Sequence, residues 1–245
     1  MYHYLYCITR EFHKPIKGII GVSNMPVYTL NYQGVAALLS DVPTATISVS
    51  NENILYHSSV IETVHKEQTV LPMRFSSMLN NHEEVIKFLK NNYGVFIDCL
   101  ERLQDKAEMG IRIIMKVEDA GRREDSSRWQ SATWKDRPTP SQRVNTNAGG
   151  TYLEQQRSHY AMQDENNSSL REIISACHAQ FEGIYVGYKK DDYSLFQGVS
   201  INYLIPKHLL SEFRNRFRDL GTSLKELKFL CTGPWAPYHF VSSEV

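Results

Sequence analysis

The chain has 245 residues, 42% of them hydrophobic and 22% charged, with 27 Lys+Arg against 27 Asp+Glu and a formal net charge of +0. That much apolar material excludes a wholly disordered chain. The missing basic surplus argues against a dedicated nucleic-acid binder, whose affinity comes largely from neutralising phosphates, and the missing acidic surplus argues against a halophilic interior.

The first segment, "YHYLYCIT", alternates. Tyr2, Tyr4 and Tyr6 share one face and His3, Leu5 and Cys7 the other, which is a strand period. "VYTLNYQGVAALLSDVP" reads as two strands joined by an "NYQG" turn that carries Tyr32. The spacing then predicts a helix capped by Asn51 and running to about Lys66, with Ile54, Ile61 and Val64 along one face. "TVLPMRF" reads as extended, because Pro72 disfavours helix for the residue before it. Asn80 and Asn81 precede Glu83 and Glu84 at capping-box spacing, ahead of a helix carrying Val85, Ile86 and Leu89. A further helix places Phe96, Leu100 and Leu103 on one face. "MGIRIIMKVED" is the clearest strand of this half, with Ile111, Ile113 and Met115 alternating with Arg112 and Ile114.

Composition changes at 119–148, where aliphatics give way to Ser, Thr, Arg and Pro and where Trp129 and Trp134 lie. Loops of that length are uncommon inside a compact domain. We read 119–148 as a flexible linker between an N-terminal α+β domain, 1–118, and a C-terminal α+β domain, 149–245. The second half opens on helical segments at "TYLEQQRSHYAMQ" and "SSLREIISACHAQF". Strands follow at "GIYVGYK" and "LFQGVSINYLIP". A helix delimited by Pro206 and Gly221 carries Leu210, Phe213, Phe217 and Leu220, and "LKELKFLCTG" is the last strand. The fold class is α+β: two domains of small, mostly antiparallel sheets packed with helices in a ferredoxin-like manner.

Signals for chemistry are sparse. Cys7, Cys99, Cys177 and Cys231 are far apart and sit in apolar settings, so they read as small buried hydrophobes of a reducing compartment. The chain has no phosphate loop, no GxGxxG and no HExxH, and its histidines are scattered. No catalytic residue, cofactor site or metal site is expected. Arg74 follows an apolar run and is expected to be partly buried beside a partner. It is either an anion-binding group or a structural fork onto carbonyls or a carboxylate, and the structural reading is favoured. Tyr2, Tyr4 and Tyr6 are either a base-stacking row, as in an RNA- or single-strand-binding α+β module, or a face covered by helices; the net charge favours the second. With no signal peptide and no run of about 20 apolar residues, a cytoplasmic protein with no membrane or nucleic-acid partner is expected.

Five segments, "YHYLYCIT", "GVAALLSDVP", "VLPMRFSSML", "GGTYLEQQR" and "TGPWAPYHF", stand in the order seen in the gas vesicle protein F/L family (GvpF/GvpL). The chain resembles that family almost end to end, most specifically in "LPMRF" and "TGPWAPYHF". It departs at Ser76, where the family often has Gly. The resemblance implies two α/β-type domains, the second ferredoxin-like, and a non-enzymatic accessory role in building gas vesicles. It implies contact with the hydrophobic shell protein GvpA, and with other gas vesicle accessory proteins as further candidates, in the cytoplasm and at the vesicle. The protein would assist assembly or form a minor component of the vesicle.

A monomer that builds a water-excluding wall exposes apolar surface that a soluble adaptor can cover. Within the N-terminal domain the candidate contacts are Tyr2, Tyr4, Tyr6, Tyr32, Leu71, Met73, Arg74 and Phe75, around Pro72. In the closing motif Gly233 and Pro234 turn the chain and Pro237 stiffens it. Trp235, Tyr238 and Phe240 are expected to pack back onto the body. The other reading makes them a peptide-binding groove.

Overall fold

Strand β1, Tyr2–Arg10, is buried on both of its faces, and the fold follows from what covers each one. The computed structural model describes residues 1–12, 18–114, 171–193, 198–224 and 227–241. β1 lies inside an antiparallel sheet with β2 (Tyr28–Tyr32), β3 (Val35–Val42) and β4 (Val70–Pro72) in the order β2-β3-β1-β4, and β5 (Met78–Leu79) also pairs with β1. The β2–β3 hairpin turns on Gln33 and Gly34, at φ 49° and 87°. That is the left-handed pair a two-residue turn needs to match strand twist.

The alternation of β1 breaks at Tyr6. Leu5 pairs with Leu39 and Cys7 with Leu38, so Tyr6 is an extra residue in the ladder. A bulge of this kind shifts the following residues to the opposite face. Cys7 therefore joins Tyr4 and Tyr6, whereas Leu5 shares its side with Ile8. The tyrosine side is covered by α1 (Asn51–Glu67), through Val60, Ile61 and Val64. The leucine side is covered by α2 (His82–Asn91) and α3 (Tyr93–Arg102), through Val85, Leu89, Phe96 and Leu100.

Local chemistry sets the helix ends. Ser50, one residue before the expected Asn51, caps α1 by accepting from the Asn53 N–H. Ile54, expected on the buried face, is exposed, and Asn53 and His57 are buried instead. At α2 the Asn81 side chain accepts from the Glu84 N–H, and the Glu84 carboxylate accepts from the Asn80 N–H. The spacing predicts a capping box; the observed cap differs from it in that the second donor is Asn80, one residue before the capping Asn81.

The second sheet is antiparallel, with β7 (Gly187–Tyr193), β8 (Gly198–Pro206), β6 (Lys106–Ile114) and β9 (Lys228–Trp235) in the order β7-β8-β6-β9. Helix α4 covers residues 171–180 and α5 is Leu210–Ser223, two residues past the expected stop at Gly221. Chain order is therefore β6, α4, β7, β8, α5, β9, with the first strand between the third and the fourth. That is a ferredoxin-like arrangement. Phe213 of α5, Phe181 and Tyr203 of β8 form its aromatic core, with the Phe181 and Phe213 rings stacked at 4.3 Å.

The strand pairings cross the division drawn at 118. β6 lies in the N-terminal part by sequence, yet it pairs with β8 and β9 in the second sheet. Both sheets belong to one compact unit, Met1–Met115 with Phe181–Val245. The segment 119–148, with Trp129 and Trp134, and the helix expected at 151–163 lie outside the described residues.

Candidate functional site

Four rings meet where β1, α1 and the turn after β4 come together. Tyr4 and Tyr6 stand 4.9 Å apart, and His57 stacks on Tyr6 at 5.8 Å. Phe75 lies edge-on to His57 at 5.7 Å and to Tyr4 at 6.1 Å. Polar atoms run through this box in two one-way relays. His57 Nε2 faces the Met73 carbonyl at 3.2 Å. A carbonyl only accepts, so Nε2 carries the proton and Nδ1 is the acceptor. The Tyr4 hydroxyl then donates to Nδ1 at 2.9 Å and accepts from the Ser76 N–H at 3.1 Å. In the second relay the Val22 N–H donates to the Tyr6 hydroxyl. That hydroxyl donates to Ser40 Oγ, which donates to the Pro26 carbonyl.

Burial sets the charge states. It lowers the His57 pKa to about 4 and raises that of Tyr4 to about 12. The box is neutral near pH 7 and structural in character.

The sequence-predicted contacts separate accordingly. Tyr4 and Tyr6 are 0% exposed, and Leu71 and Pro72 are buried. Of the two readings of the tyrosine row, the covered face is the one observed: α1 lies over it, and Tyr4 and Tyr6 are not available as partner contacts. Tyr2 and Phe75 flank the α1-side core. Met73 flanks the opposite core, as does Tyr32, which sits at the hairpin tip against Tyr93 at 6.2 Å. Arg74, expected to be partly buried, is exposed. It lies in a tight turn where its carbonyl accepts from the Ser77 N–H and hydroxyl. Periodicity missed the apolar surface at the start of α1. Val49, Ile54 and Leu55 are exposed at the start of α1, Leu55 at 66%. The signal available was two adjacent aliphatics, Ile54 and Leu55, of which one helix face cannot bury both.

The closing motif has two characters. Gly233 and Pro234 form a bulge opposite β6, where Glu108 pairs with Trp235 and Gly110 with Thr232. Beyond β9 the chain runs as a strap. Ala236 joins the α1-side core and Phe240 joins the α3-side core together with Leu204. The Phe240 carbonyl accepts from Arg102 Nη2 at 2.9 Å, and the Val241 carbonyl from Cys99 Sγ at 3.4 Å. Trp235 and Tyr238, expected to pack inward, are 41% and 39% exposed, although burial of the Tyr238 hydroxyl raises its pKa. Phe240 alone of the three is buried, because the turn at Tyr238–Phe240 aims successive side chains in different directions.

Elsewhere an open groove of about 500 Å³ runs between α5 and β9, with Arg214, Arg218, Phe217 and Cys231 on its walls. Cys231 is thus only half-buried, against expectation, because β9 is an edge strand; the other three cysteines are buried. Among the described residues no group of three or more His, Cys, Asp or Glu could hold a metal ion. Among them too, no helix is long and apolar enough to cross a membrane.

Comparison with known proteins places this arrangement. The family model described as gas vesicle synthesis protein GvpL/GvpF matches residues 2–242. Gas vesicle protein F1 of Halobacterium salinarum is 19% identical, over 100% of this chain and 94% of its own. Gas vesicle protein L of a Streptomyces species is 22% identical, over 97% of this chain and 91% of its own. The crystal structure of GvpF from Anabaena sp. PCC7120 superposes with a TM-score of 0.77 at 18% identity, covering 100% of this chain and 97% of that one. GvpF from Microcystis aeruginosa gives 0.73 at 19% identity, with 99% of each chain covered. At such identities the two structures speak for the fold alone.

Proposed function

This chain belongs to the GvpL/GvpF family of gas vesicle synthesis proteins, and from that premise we propose that it acts without catalysis. In this reading it binds the hydrophobic shell protein GvpA and either assists assembly or stays as a minor structural part of the vesicle. The family match over residues 2–242 carries the proposal. The protein works in the cytoplasm at the growing vesicle, with other gas vesicle accessory proteins as its second class of partner.

The docking surface we assign is the start of α1 with the neighbouring turn. Val49, Ile54 and Leu55 are its exposed apolar groups, and Arg74 is an exposed polar group on the turn. His57, three residues after Ile54, bonds to the Met73 carbonyl and so holds helix and turn together. Tyr2 and Phe75 are the half-buried residues that flank the core beneath α1. Exposed apolar groups held on a rigid helix suit an apolar partner, since burying them needs little reordering.

The test is capture of GvpA by the purified full chain, at low and at high salt, beside the double variant Ile54→Glu/Leu55→Glu. Binding that resists salt and is lost in the folded variant is the expected result. An absence of binding by the natural chain, or equal binding by the variant, overturns the assignment. A cut at 118 is unsuitable here, because it takes β6 from the middle of the second sheet.

A further inference from the structure

His239 sits between two carboxylates. Its Nδ1 contacts Glu108 Oε1 at 2.6 Å, and its Nε2 contacts Asp191 Oδ2 at 3.2 Å. Its main-chain N–H also donates to Glu108 Oε2 at 3.0 Å. A carboxylate only accepts, so both ring nitrogens must donate, and only the imidazolium can do that. The groups around the ring come from three strands. Glu108 is on β6 and almost fully buried, Asp191 is on β7, and Asn202 on β8 donates to Asp191 at 3.1 Å. From α3, Arg102 holds the adjacent Phe240 carbonyl. On the strap itself is Tyr238, whose neighbours include Glu62 and Glu108.

We propose that the strap at 236–241 is a proton-dependent clasp: it joins the second sheet to the α3 side of the first while His239 is charged, and lifts when His239 is neutral. A neutral ring keeps one N–H and turns a lone pair toward the other carboxylate, so one of its two contacts becomes repulsive. Glu108 is then a buried charge without its cation, which is strongly unfavourable. The ring can lose its proton without unfolding, because the His239 side chain is 40% exposed. Lifting withdraws Phe240 from the cluster that holds Leu100, Leu103 and Leu204, and uncovers an apolar slot. The direction follows from the bonding. Two carboxylates hold the folded-state pKa of His239 above its ordinary value, the Glu108 hydrogen bond first. The clasp is therefore closed below that raised value and opens as pH rises through it. The inference does not depend on which partner the protein binds.

The test is limited proteolysis of the full chain at about pH 6 and about pH 9, on either side of the histidine range. A protease active at both values is used, and cleavage within the strap is read by mass spectrometry. Rates are normalised to a free peptide of the same sequence. The expected result is a relative cleavage rate that rises about tenfold or more with pH in the natural chain. His239→Gln should be cleaved rapidly at both values. A flat profile in the natural chain, or an equal rise in His239→Gln, overturns the proposal. Asp191→Asn, at a half-exposed position, tests the clasp without burying a new group. Its opening midpoint should move to lower pH, and an unmoved midpoint removes Asp191 from the clasp and overturns the two-carboxylate account.

Discussion

The Tyr4 hydroxyl donates to His57 Nδ1 at 2.9 Å and so ties the first strand to α1 across a covered sheet face. The same oxygen accepts from the Ser76 N–H, which brings the turn after β4 into the bond. Tyr4→Phe keeps the ring and leaves both the His57 acceptor and the Ser76 donor without this partner. Leaving a buried group unsatisfied costs about 1–3 kcal/mol. The variant should lose that much in urea unfolding. The double variant Tyr4→Phe/His57→Phe should lose less than the two single losses added together.

The buried histidines set the acid side of the stability profile. An unfolded histidine titrates near 6.5, while burial lowers His57 and His65 to about 4. Between those values the unfolded chain binds protons that the folded chain refuses. The contribution of these two histidines is therefore full above about pH 6.5 and drains as pH falls toward about 4, by up to about 3 kcal/mol for each group. Urea midpoints at about pH 7 and about pH 5 should show the fall.

His65 adds an independent check. It is 7% exposed, and among the described residues neither of its ring nitrogens has a hydrogen-bond partner. Nearby Lys207 donates to the His65 carbonyl at 2.8 Å and further opposes a charge on the ring. His65→Leu removes two unsatisfied polar atoms at similar volume. It should raise stability by about 1 kcal/mol at neutral pH and flatten the acid slope.

What the sequence disclosed and what it hid divide by range. The Gln33–Gly34 turn and the Asn81–Glu84 cap were legible because each is decided within four residues by backbone sterics and one side-chain bond. The alternation in β1 was legible as a strand, but not the bulge at Tyr6, because a bulge is a property of the ladder with β3. Nor did "YHYLYCIT" announce that both of its faces are covered. The hint was that Leu5, Cys7 and Ile8 stand among the tyrosines with only His3 as a charged-type residue, so no face is clearly polar. β6 was recognised as a strand and placed with the wrong sheet. Its partners, β8 and β9, lie far along the chain, and local pattern carries no information about them. The acidic partners of His239 were hidden for the same reason: Glu108 is 131 residues away.

Ser76 lies at φ 69°, in the left-handed region, and is exposed. The resemblance marked this position as one where glycine is usual, and the backbone supplies the reason. Holding an L-residue there costs about 1–2 kcal/mol. Glycine removes that strain and returns about half of the gain through a more flexible unfolded chain. Ser76→Gly should therefore stabilise by about 0.5–1 kcal/mol, and the Ser76 N–H bond to Tyr4 is retained because it belongs to the main chain. Ser76→Val, with a branched Cβ at the same φ, should destabilise by about 1 kcal/mol or more. The order Gly above Ser above Val in thermal midpoint checks the assignment.

Gly233 is held more tightly. Its φ is 106°, and a Cβ built there would lie 2.6 Å from the Glu108 carbonyl oxygen and 3.1 Å from the Met109 sulfur. The methionine end can move, but the carbonyl belongs to the central strand of the second sheet and cannot. Gly233→Ala must therefore open the bulge between β9 and β6, where Glu108 pairs with Trp235. Glu108 also receives the main-chain N–H and Nδ1 bonds of His239, so the displacement is passed to the strap. The expected loss is about 3 kcal/mol or more, from backbone strain and overpacking together. A urea midpoint within error of the natural chain would show that the bulge is not close-packed. A lowered midpoint with faster cleavage of the strap at every pH would show that the bulge, as well as the charge on His239, holds the C-terminal segment in place.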